Sequence, residues 1–229
     1  MLPSHARLLS KVRQNSCNLL LVSLCLFILA DPFVWGNSLS YLFLLVCAGS
    51  IAVMMSKSKR NKKSRILTWV ILFLMMTCAE ILVTIEVAIF WSVPVTYVFT
   101  GIFSLAIIIE LIKYIMDRRL IGADKISAAI SVYIMIAILF SNLFSFLHYM
   151  EPKSFFMNPE NNYDGIMSWS EFMYFSFTVL TSTGFGDILP ITHHARSFVI
   201  LEQIMGVMYV AFLIARLTNL YTERHKNNY

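Results

Sequence analysis

The sequence predicts an all-α membrane protein with six transmembrane helices and a re-entrant segment between the last two helices. The chain of 229 residues is 58% hydrophobic and 14% charged, and it contains apolar runs of about 17–25 residues, the length that a membrane-spanning helix needs. A soluble domain of this size could not shield so much apolar surface from water. One polar segment, TVLTSTGFGDILP from Thr178 to Pro190, stands directly before the last apolar run.

Apolar residues concentrate in six runs, and a shorter helix is predicted at about 169–181, between the last two. The runs cover residues 17–34, 38–55, 66–91, 95–116, 126–150 and 197–217. Proline disfavours a helix at the residue before it, so Asp31–Pro32 should end the first helix near Ala30. The resulting divisions are an N-terminus at 1–16, a four-helix membrane region at 17–116, a linker at 117–125, a two-span domain at 126–217 and a tail at 218–229.

The positive charges predict how these helices are oriented. With the N-terminus in the cytoplasm, six crossings put 16 of the 18 Lys and Arg residues on the cytoplasmic side and leave Lys153 and Arg196 outside. Insertion favours positive charge beside span ends on that side, so we expect both termini in the cytoplasm of a multi-pass membrane protein. Because the basic residues lie between apolar runs, the net charge of +5 does not indicate a nucleic-acid partner.

The basic cluster KSKRNKKSR has two interpretations. As an orientation signal it needs no ligand, and as a patch of cations beside a bilayer it could bind anionic lipid head groups. Both interpretations put the cluster at the cytoplasmic surface of the membrane. The residues concerned are Lys57, Lys59, Arg60, Lys62, Lys63 and Arg65.

The fourth run, 95–116, lacks the arginine series that a voltage-sensing helix uses. It carries only Glu110 and Lys113, which at i, i+3 spacing are expected to pair with each other. Steep voltage dependence from this helix is therefore not expected.

The short helix is predicted to begin at Ser168-x-x-Glu171, a capping box in which each side chain bonds to the backbone of the other residue. Ending near Leu180, the helix would have about 12 to 13 residues, too few to span a bilayer. It should therefore enter the membrane and stop partway. Its C-terminal end carries the partial negative charge of the helix dipole and would stabilise a cation there.

Gly184 and Gly186 follow that helix and permit positive φ angles without steric cost, so that successive carbonyls can turn to one side. Non-helical backbone at membrane depth is tolerated where it is buried in protein or lines a water-filled path. A row of carbonyls with the Ser182 hydroxyl would offer oxygen ligands in place of a hydration shell. One chain supplies only one wall of such a path, which requires a ring of subunits.

The motif TSTGFGD, with a short helix before it and a final apolar helix after it, resembles the selectivity filter of potassium channels. The stretch from about 126 to 220, which includes YFSFTVLTSTGFGDILPITHHARSFVILEQIMG and YVAFLIARL, is similar to the pore module of small bacterial potassium channels. The resemblance implies passive K⁺ conduction by a homotetramer in the bacterial inner membrane. It implies no catalysis and no cofactor other than the permeating ion.

Carried over position by position, the resemblance implies a pore helix at about 169–181 and a filter at 182–187. The carbonyls from Ser182 to Phe185 would replace the water around K⁺, with the Ser182 side chain helping at the innermost site. Asp187 would lie at the outer mouth, and Gly206 would be a gating hinge of the inner helix, with a gate near 210–214. The residues that would line the ion path are Ser182, Thr183, Gly184, Phe185 and Gly186.

Three filter positions depart from the pattern that they resemble. Ser182 stands where threonine is usual, Thr183 where valine or isoleucine is usual, and Phe185 where tyrosine is usual. That tyrosine can bond to a pore-helix tryptophan, whose position here is Phe175. Because donor and acceptor are lost together, this change is close to neutral in energy. The degree of selectivity for K⁺ over Na⁺ is the property that these departures leave open.

Residues outside the filter are candidates for its support. Tyr174 could brace Asp187 through its hydroxyl. Glu202, a carboxyl within the inner helix, is expected to brace the pore helix, with Thr178 as the candidate partner. The outer mouth also contains two histidines that either sense external pH or have no such role: His193 and His194.

Other classes of protein are alternatives to this interpretation. GFGD fits the GxGD motif of intramembrane aspartyl proteases, and Tyr163-Asp164 precedes it. Those enzymes need two carboxylates facing each other within membrane helices, whereas Asp164 lies in the polar segment NPENNYDGIMS. A transporter built from repeated pore modules would need more than the single module present. A weakly selective cation channel and a non-conducting sensor or subunit are the further alternatives.

Overall fold

The computed structural model describes residues 16–30, 92–116, 124–161 and 167–226 of the chain. Within these ranges the protein is mostly helical, with two short strands. The helices are α1 (Ser16–Ala30), α2 (Ser92–Met116), α3 (Asp124–Met150), α4 (Trp169–Leu180) and α5 (His193–Lys226). The strands are β1 (Phe155–Met157) and β2 (Ile188–Pro190), and a 3-10 turn covers Pro159–Asn161.

Three of the described helices are long and apolar enough to cross a membrane. They lie in α2, α3 and α5, and each has a mean hydropathy of 2.1. The predicted runs 95–116, 126–150 and 197–217 therefore correspond to helices of spanning length. The spanning segments are Val93–Met116, Lys125–Met150 and His193–Arg216.

The remaining predicted segments are the first apolar run, the second and third runs, and the C-terminal tail. α1 is a helix of 15 residues that ends at Ala30, as the proline at position 32 predicts. The runs 38–55 and 66–91 lie outside the described residues, as does the basic cluster at 57–65. α5 continues to Lys226, so helix extends through most of the segment 218–229 that was predicted to be a tail.

The chain divides into two compact units, residues 1–139 and 140–229. On α2, in the first unit, the Lys113 ammonium lies 3.2 Å from the Glu110 carboxylate, which confirms the predicted i, i+3 pair. These are the two charged residues of this helix, so each charge is compensated by the other. Buried apolar side chains of the first unit include Leu24, Phe103, Ile107, Leu111, Val132 and Met135.

In the second unit, the chain after α3 pairs with the chain before α5. β1 and β2 are antiparallel, with Phe155 opposite Pro190 and Met157 opposite Ile188. Next to this ribbon, the Ser154 carbonyl accepts a hydrogen bond of 2.8 Å from the Ile191 amide. The ribbon therefore keeps the last turn of α3 and the first turn of α5 at the same end of the unit.

A cluster of aromatic rings packs α4 against the end of α3 and against β1. The Phe155 ring of β1 lies 5.4 Å, centroid to centroid, from Phe144 of α3. It also lies 5.1 and 5.7 Å from Phe172 and Phe175 of α4, and the His148 ring of α3 lies 5.4 Å from Phe172. Edge-to-face pairs of this kind add about 0.5–1.5 kcal/mol each beyond the burial of their area. The cluster therefore fixes one face of α4.

An adjacent face of α4 contacts α5, and the two helices run in the same direction. Ser176 is hydrogen-bonded to Glu202, and Leu180, four residues later, faces Gly206, also four residues later. Because both residue numbers rise together, the helices are parallel. The chain from 181 to 192 must therefore run back from the C-terminal end of α4 to the N-terminal end of α5.

Candidate functional site

α4 begins where its capping box predicts. Ser168 is the N-cap with extended backbone, and the Glu171 carboxylate accepts a hydrogen bond from the Ser168 amide. This bond satisfies an amide that would otherwise be free at a helix start. The helix has 12 residues and ends at Leu180. At 1.5 Å per residue it is about 18 Å long, well short of the roughly 30 Å of a bilayer core.

The residues 182–186, called the 182–186 strip below, are bonded to the end of α4 through their first three amides. The Ser182 amide donates to the Val179 carbonyl at 2.9 Å. The next two amides share the Thr178 carbonyl, at 2.9 and 3.2 Å. Thr178 therefore contacts the strip through its backbone, and the last turn of α4 sets the direction in which the strip begins.

The carbonyls of the strip have a different environment from its amides. Within the part of the chain that the structure describes, no carbonyl from 182 to 186 accepts a hydrogen bond. The φ angles are +57° at Ser182, +55° at Gly184 and +79° at Gly186, whereas the two residues between them have negative φ. Positive and negative φ therefore alternate along the strip. Its carbonyl oxygens are not committed to hydrogen bonds within the described residues.

Glycine is favoured at positions 184 and 186 because of the positive φ angles there, and not because a side chain would lack space. A Cβ atom at either position would have nothing within 4 Å, yet the positive φ costs other L-residues roughly 1–2 kcal/mol. Ser182 adopts the same conformation without being glycine, which the sequence did not predict. Positive φ is rarest for β-branched residues, so serine at this position is strained less than the usual threonine would be.

Tyr174 lies beside the far end of the strip. Its ring is stacked on that of Phe185, with centroids 6.3 Å apart and planes 5° apart, and its hydroxyl is hydrogen-bonded to the Asp187 carboxylate. The Ile188 amide donates a second hydrogen bond to that carboxylate at 3.0 Å. The contact predicted between Tyr174 and Asp187 is therefore present, while its role in supporting a filter stays a prediction. Phe175 packs instead in the aromatic cluster.

Glu202 meets α4 at Ser176 and not at Thr178, which corrects the expected partner. The Ser176 hydroxyl donates to one carboxyl oxygen of Glu202, and both residues are 0% exposed. The Thr178 hydroxyl is used within α4, where it donates to the Phe175 carbonyl at 2.8 Å. Successive residues of a helix are about 100° apart, so residues 176 and 178 face different sides and only one of them can face α5.

Gly206 lies where α5 passes the last carbonyl of α4. A Cβ atom at this position would be 2.1 Å from the Leu180 carbonyl oxygen, so only glycine lets the two helices approach this closely. α5 is a continuous helix through Gly206 and through the segment 210–214. The structure therefore gives Gly206 a packing role, and its function as a gating hinge stays a prediction.

The histidines predicted at the outer mouth stand at the start of α5. His193 is the first residue of the helix, and the Nδ1 atom of His194 lies 3.9 Å from the Glu151 carboxylate, with both side chains well exposed. The contact is an ion pair only when the imidazole is protonated, and exposed ion pairs contribute about 0–1 kcal/mol to stability. Sensitivity to external pH therefore stays a prediction, and His194 is the better placed of the two histidines.

Two hydroxyl side chains of this site were not predicted from the sequence. Ser176 is the buried partner of Glu202, and the Thr181 hydroxyl donates to the Phe177 carbonyl at 2.7 Å. Serine and threonine within an apolar helix are a signal for hydrogen bonds inside or between helices. That signal identifies both residues as candidates, but it does not specify their partners.

The region that contains this site matches a known protein family. Residues 128–223 match a family model described as an ion channel. The match covers most of α3, the β1–β2 ribbon, α4, the 182–186 strip and most of α5. No curated protein and no solved structure matches the chain.

Proposed function

We propose that the protein is a potassium-selective channel, on the premise that residues 128–223, which match an ion channel family model, form its conducting domain. The observation that carries the proposal is the backbone of the 182–186 strip, where α4 holds the first three amides and the carbonyls have no partner within the described residues. K⁺ would move down its gradient and exchange its hydration shell for these oxygens. The protein would act as a passive conductor and not as an enzyme.

Carbonyl oxygens suit this task because a ring of them can replace the water around K⁺. The Ser182 hydroxyl would add a ligand at the innermost site. Gly186 would continue the path toward the outer mouth, where the Asp187 carboxylate would add negative charge. The proposed K⁺ ligands are the backbone carbonyls of Ser182, Thr183, Gly184 and Phe185.

The position of α4 supports the binding of a cation. Its C-terminal end adjoins the 182–186 strip through the bonds to the Thr178 and Val179 carbonyls. A helix of this kind carries the equivalent of about half a negative charge at that end. Several copies arranged in a ring would direct several such ends at one point on the axis.

The parallel packing of α4 and α5 supports a re-entrant path. α5 is long enough to cross the bilayer, whereas α4 has only 12 residues, so the chain between them would return to the side from which α4 entered. The positive-inside pattern makes that side the outside. We therefore propose a six-span protein of the bacterial inner membrane with both termini in the cytoplasm. The basic cluster at 57–65 would then face anionic lipids there.

A single chain forms only one wall of such a path. Phe185 is 69% exposed, and apolar residues of α5 such as Val207 and Met208 are 61% and 66% exposed. Closed rings of identical subunits are the common way to cover surfaces of this kind. The resemblance to potassium channels implies a homotetramer, with the strips of four subunits around one axis.

The position of Asp187 weighs against the GxGD protease alternative. An intramembrane aspartyl protease needs its carboxylates within helices, whereas Asp187 lies between α4 and β2. Its carboxylate is already engaged by Tyr174 and by the Ile188 amide. Asp164, the second carboxylate of that hypothesis, lies outside the described residues.

Ion flux in liposomes tests the proposal. The purified full chain is reconstituted, and K⁺ efflux is compared with Na⁺ efflux under equal gradients. The proposal expects K⁺ flux well above Na⁺ flux and loss of K⁺ flux in Gly184→Ala, because alanine is strained at positive φ. Gly101→Ala on α2 is the matched control, since its Cβ would meet only the Leu139 side chain at 4.0 Å. Equal fluxes would favour a weakly selective cation channel, and no flux would favour a non-conducting subunit.

A further inference from the structure

At the start of the 182–186 strip, two hydrogen bonds connect the Thr183 hydroxyl, the Thr181 hydroxyl and the Phe177 carbonyl. The Thr181 hydroxyl donates to the Phe177 carbonyl of α4 at 2.7 Å. The hydroxyls of Thr181 and Thr183 are 2.8 Å apart. A threonine hydroxyl has one proton to donate, and that of Thr181 is used on Phe177. Thr183 must therefore be the donor in the bond between the two threonines.

This bond closes a loop across Ser182, the residue between the two threonines. Ser182 has a φ of +57°, a left-handed conformation that costs a non-glycine residue roughly 1–2 kcal/mol. Its amide is held by the Val179 carbonyl at 2.9 Å. The bond between the threonine side chains connects the residues before and after it, so that a change of the Ser182 backbone would break the bond.

We propose that Thr181 and Thr183 are positioning residues that hold Ser182 in its left-handed conformation and thereby fix the innermost K⁺ site. The inference rests on the proposed function, since Ser182 supplies both a carbonyl and a hydroxyl to that site. Valine or isoleucine at position 183 has no proton to donate, so the threonine found here adds a restraint that the usual residue lacks. This restraint accompanies a serine at 182, whose side chain is less restricted than that of threonine.

The test uses a change of nearly equal size that removes the Thr183 hydroxyl. Thr183→Val keeps the volume and loses the donor. The permeability ratio of K⁺ to Na⁺ is measured for the purified full chain in planar bilayers. We expect Thr183→Val to lower the ratio about tenfold, the effect of one hydrogen bond of ordinary strength. A wild-type ratio in Thr183→Val overturns the inference.

The partner residue gives an independent version of the same test. Thr181→Val should lower the ratio at least as much as Thr183→Val does, since it also loses the bond to the Phe177 carbonyl, and Thr181→Ser should preserve the ratio. The double valine variant should be no worse than Thr181→Val alone, because both lack the bond between the two hydroxyls. Additive losses in the double variant overturn the inference. If Thr183→Val does not assemble, the Thr181 pair decides the question.

A second measurement separates this inference from the proposed function. The K⁺ concentration that half-maximally raises the melting temperature reports ion binding without conduction. It should rise about tenfold in Thr183→Val, in line with the loss of one hydrogen bond, and stay unchanged in Thr181→Ser. A wild-type protein with no preference for K⁺ over Na⁺ in either measurement contradicts the proposed function itself. A K⁺-selective wild type with an unaltered Thr183→Val contradicts only the role of the two threonines.

Discussion

The Ser176 hydroxyl of α4 donates a hydrogen bond to the Glu202 carboxyl of α5, and both side chains are fully buried. One helical turn further along both helices, Gly206 lies against the Leu180 carbonyl. The two contacts set the depth of α4 along α5. Because the first three amides of the 182–186 strip are bonded to the last turn of α4, a displacement of α5 would be transmitted to the proposed filter.

Removal of the Ser176 hydroxyl should destabilise the protein. In Ser176→Ala the bonded Glu202 oxygen loses its donor, and the other oxygen already has no partner within the described residues. A buried polar group left unpaired costs about 1–3 kcal/mol. The measurement is the melting temperature of the purified protein in detergent.

Ser197→Ala is the matched control for this change. The Ser197 hydroxyl is exposed and donates to the His193 carbonyl of its own helix at 2.9 Å, so its removal should change stability by less than about 0.5 kcal/mol. Equal melting temperatures for the two variants would contradict a structural role of the Ser176–Glu202 bond.

Glu202→Gln should alter the lifetime of the conducting state. Glutamine keeps an acceptor for the Ser176 hydroxyl but puts a buried amide group where the second carboxyl oxygen has no hydrogen-bond partner within the described residues. The change should therefore loosen the contact between α5 and α4 without abolishing assembly. The measurement is the decay of K⁺ current during a sustained driving force. A time course identical to that of the wild type would contradict this prediction.

The variant Gly206→Ala distinguishes a packing role of Gly206 from a role as a gating hinge. The added Cβ would lie 2.1 Å from the Leu180 carbonyl oxygen, which is backbone and cannot rotate away. Overpacking of this kind costs about 1–3 kcal/mol, so the variant should melt at a lower temperature or fail to assemble. Gly101→Ala, where the Cβ has room, should be neutral or stabilising by up to about 1 kcal/mol. A normally stable Gly206→Ala with altered gating would instead support a hinge.

Tyr174 should act on the outer end of the strip in two separable ways. Tyr174→Phe loses the hydrogen bond to Asp187 and keeps the stack on Phe185, whereas Tyr174→Ala loses both contacts. K⁺ binding, measured by thermal stabilisation, should therefore weaken in the order wild type, Tyr174→Phe, Tyr174→Ala. In a double-mutant cycle with Asp187→Asn, the two losses should not add. Strict additivity would show that the two side chains act independently.

The sequence predicted those features that depend on local chemistry. The capping box at Ser168 and Glu171 placed the start of α4, and its end was predicted within one residue. The glycines at 184 and 186 predicted positive φ because no other residue adopts it so readily. The reach of a tyrosine hydroxyl was sufficient to suggest the contact of Tyr174 with Asp187.

Features that depend on how two helices are rotated and spaced were not predictable in this way. The choice of Ser176 over Thr178 as the partner of Glu202 depends on the rotation of α4 about its own axis. The contact of Gly206 with Leu180 depends on the separation of two helices that are distant in sequence. Hydrophobic periodicity gives neither quantity, because apolar residues surround both helices.

The reversal potential of the purified protein tests potassium selectivity most directly. A planar bilayer is formed with K⁺ on the side of the termini and an equal concentration of Na⁺ on the other. If the carbonyls of the 182–186 strip bind dehydrated K⁺, current should reverse at a potential that is negative on the K⁺ side by at least about 59 mV, the value for a tenfold preference. A reversal at zero, with the protein conducting and assembled, would contradict potassium selectivity.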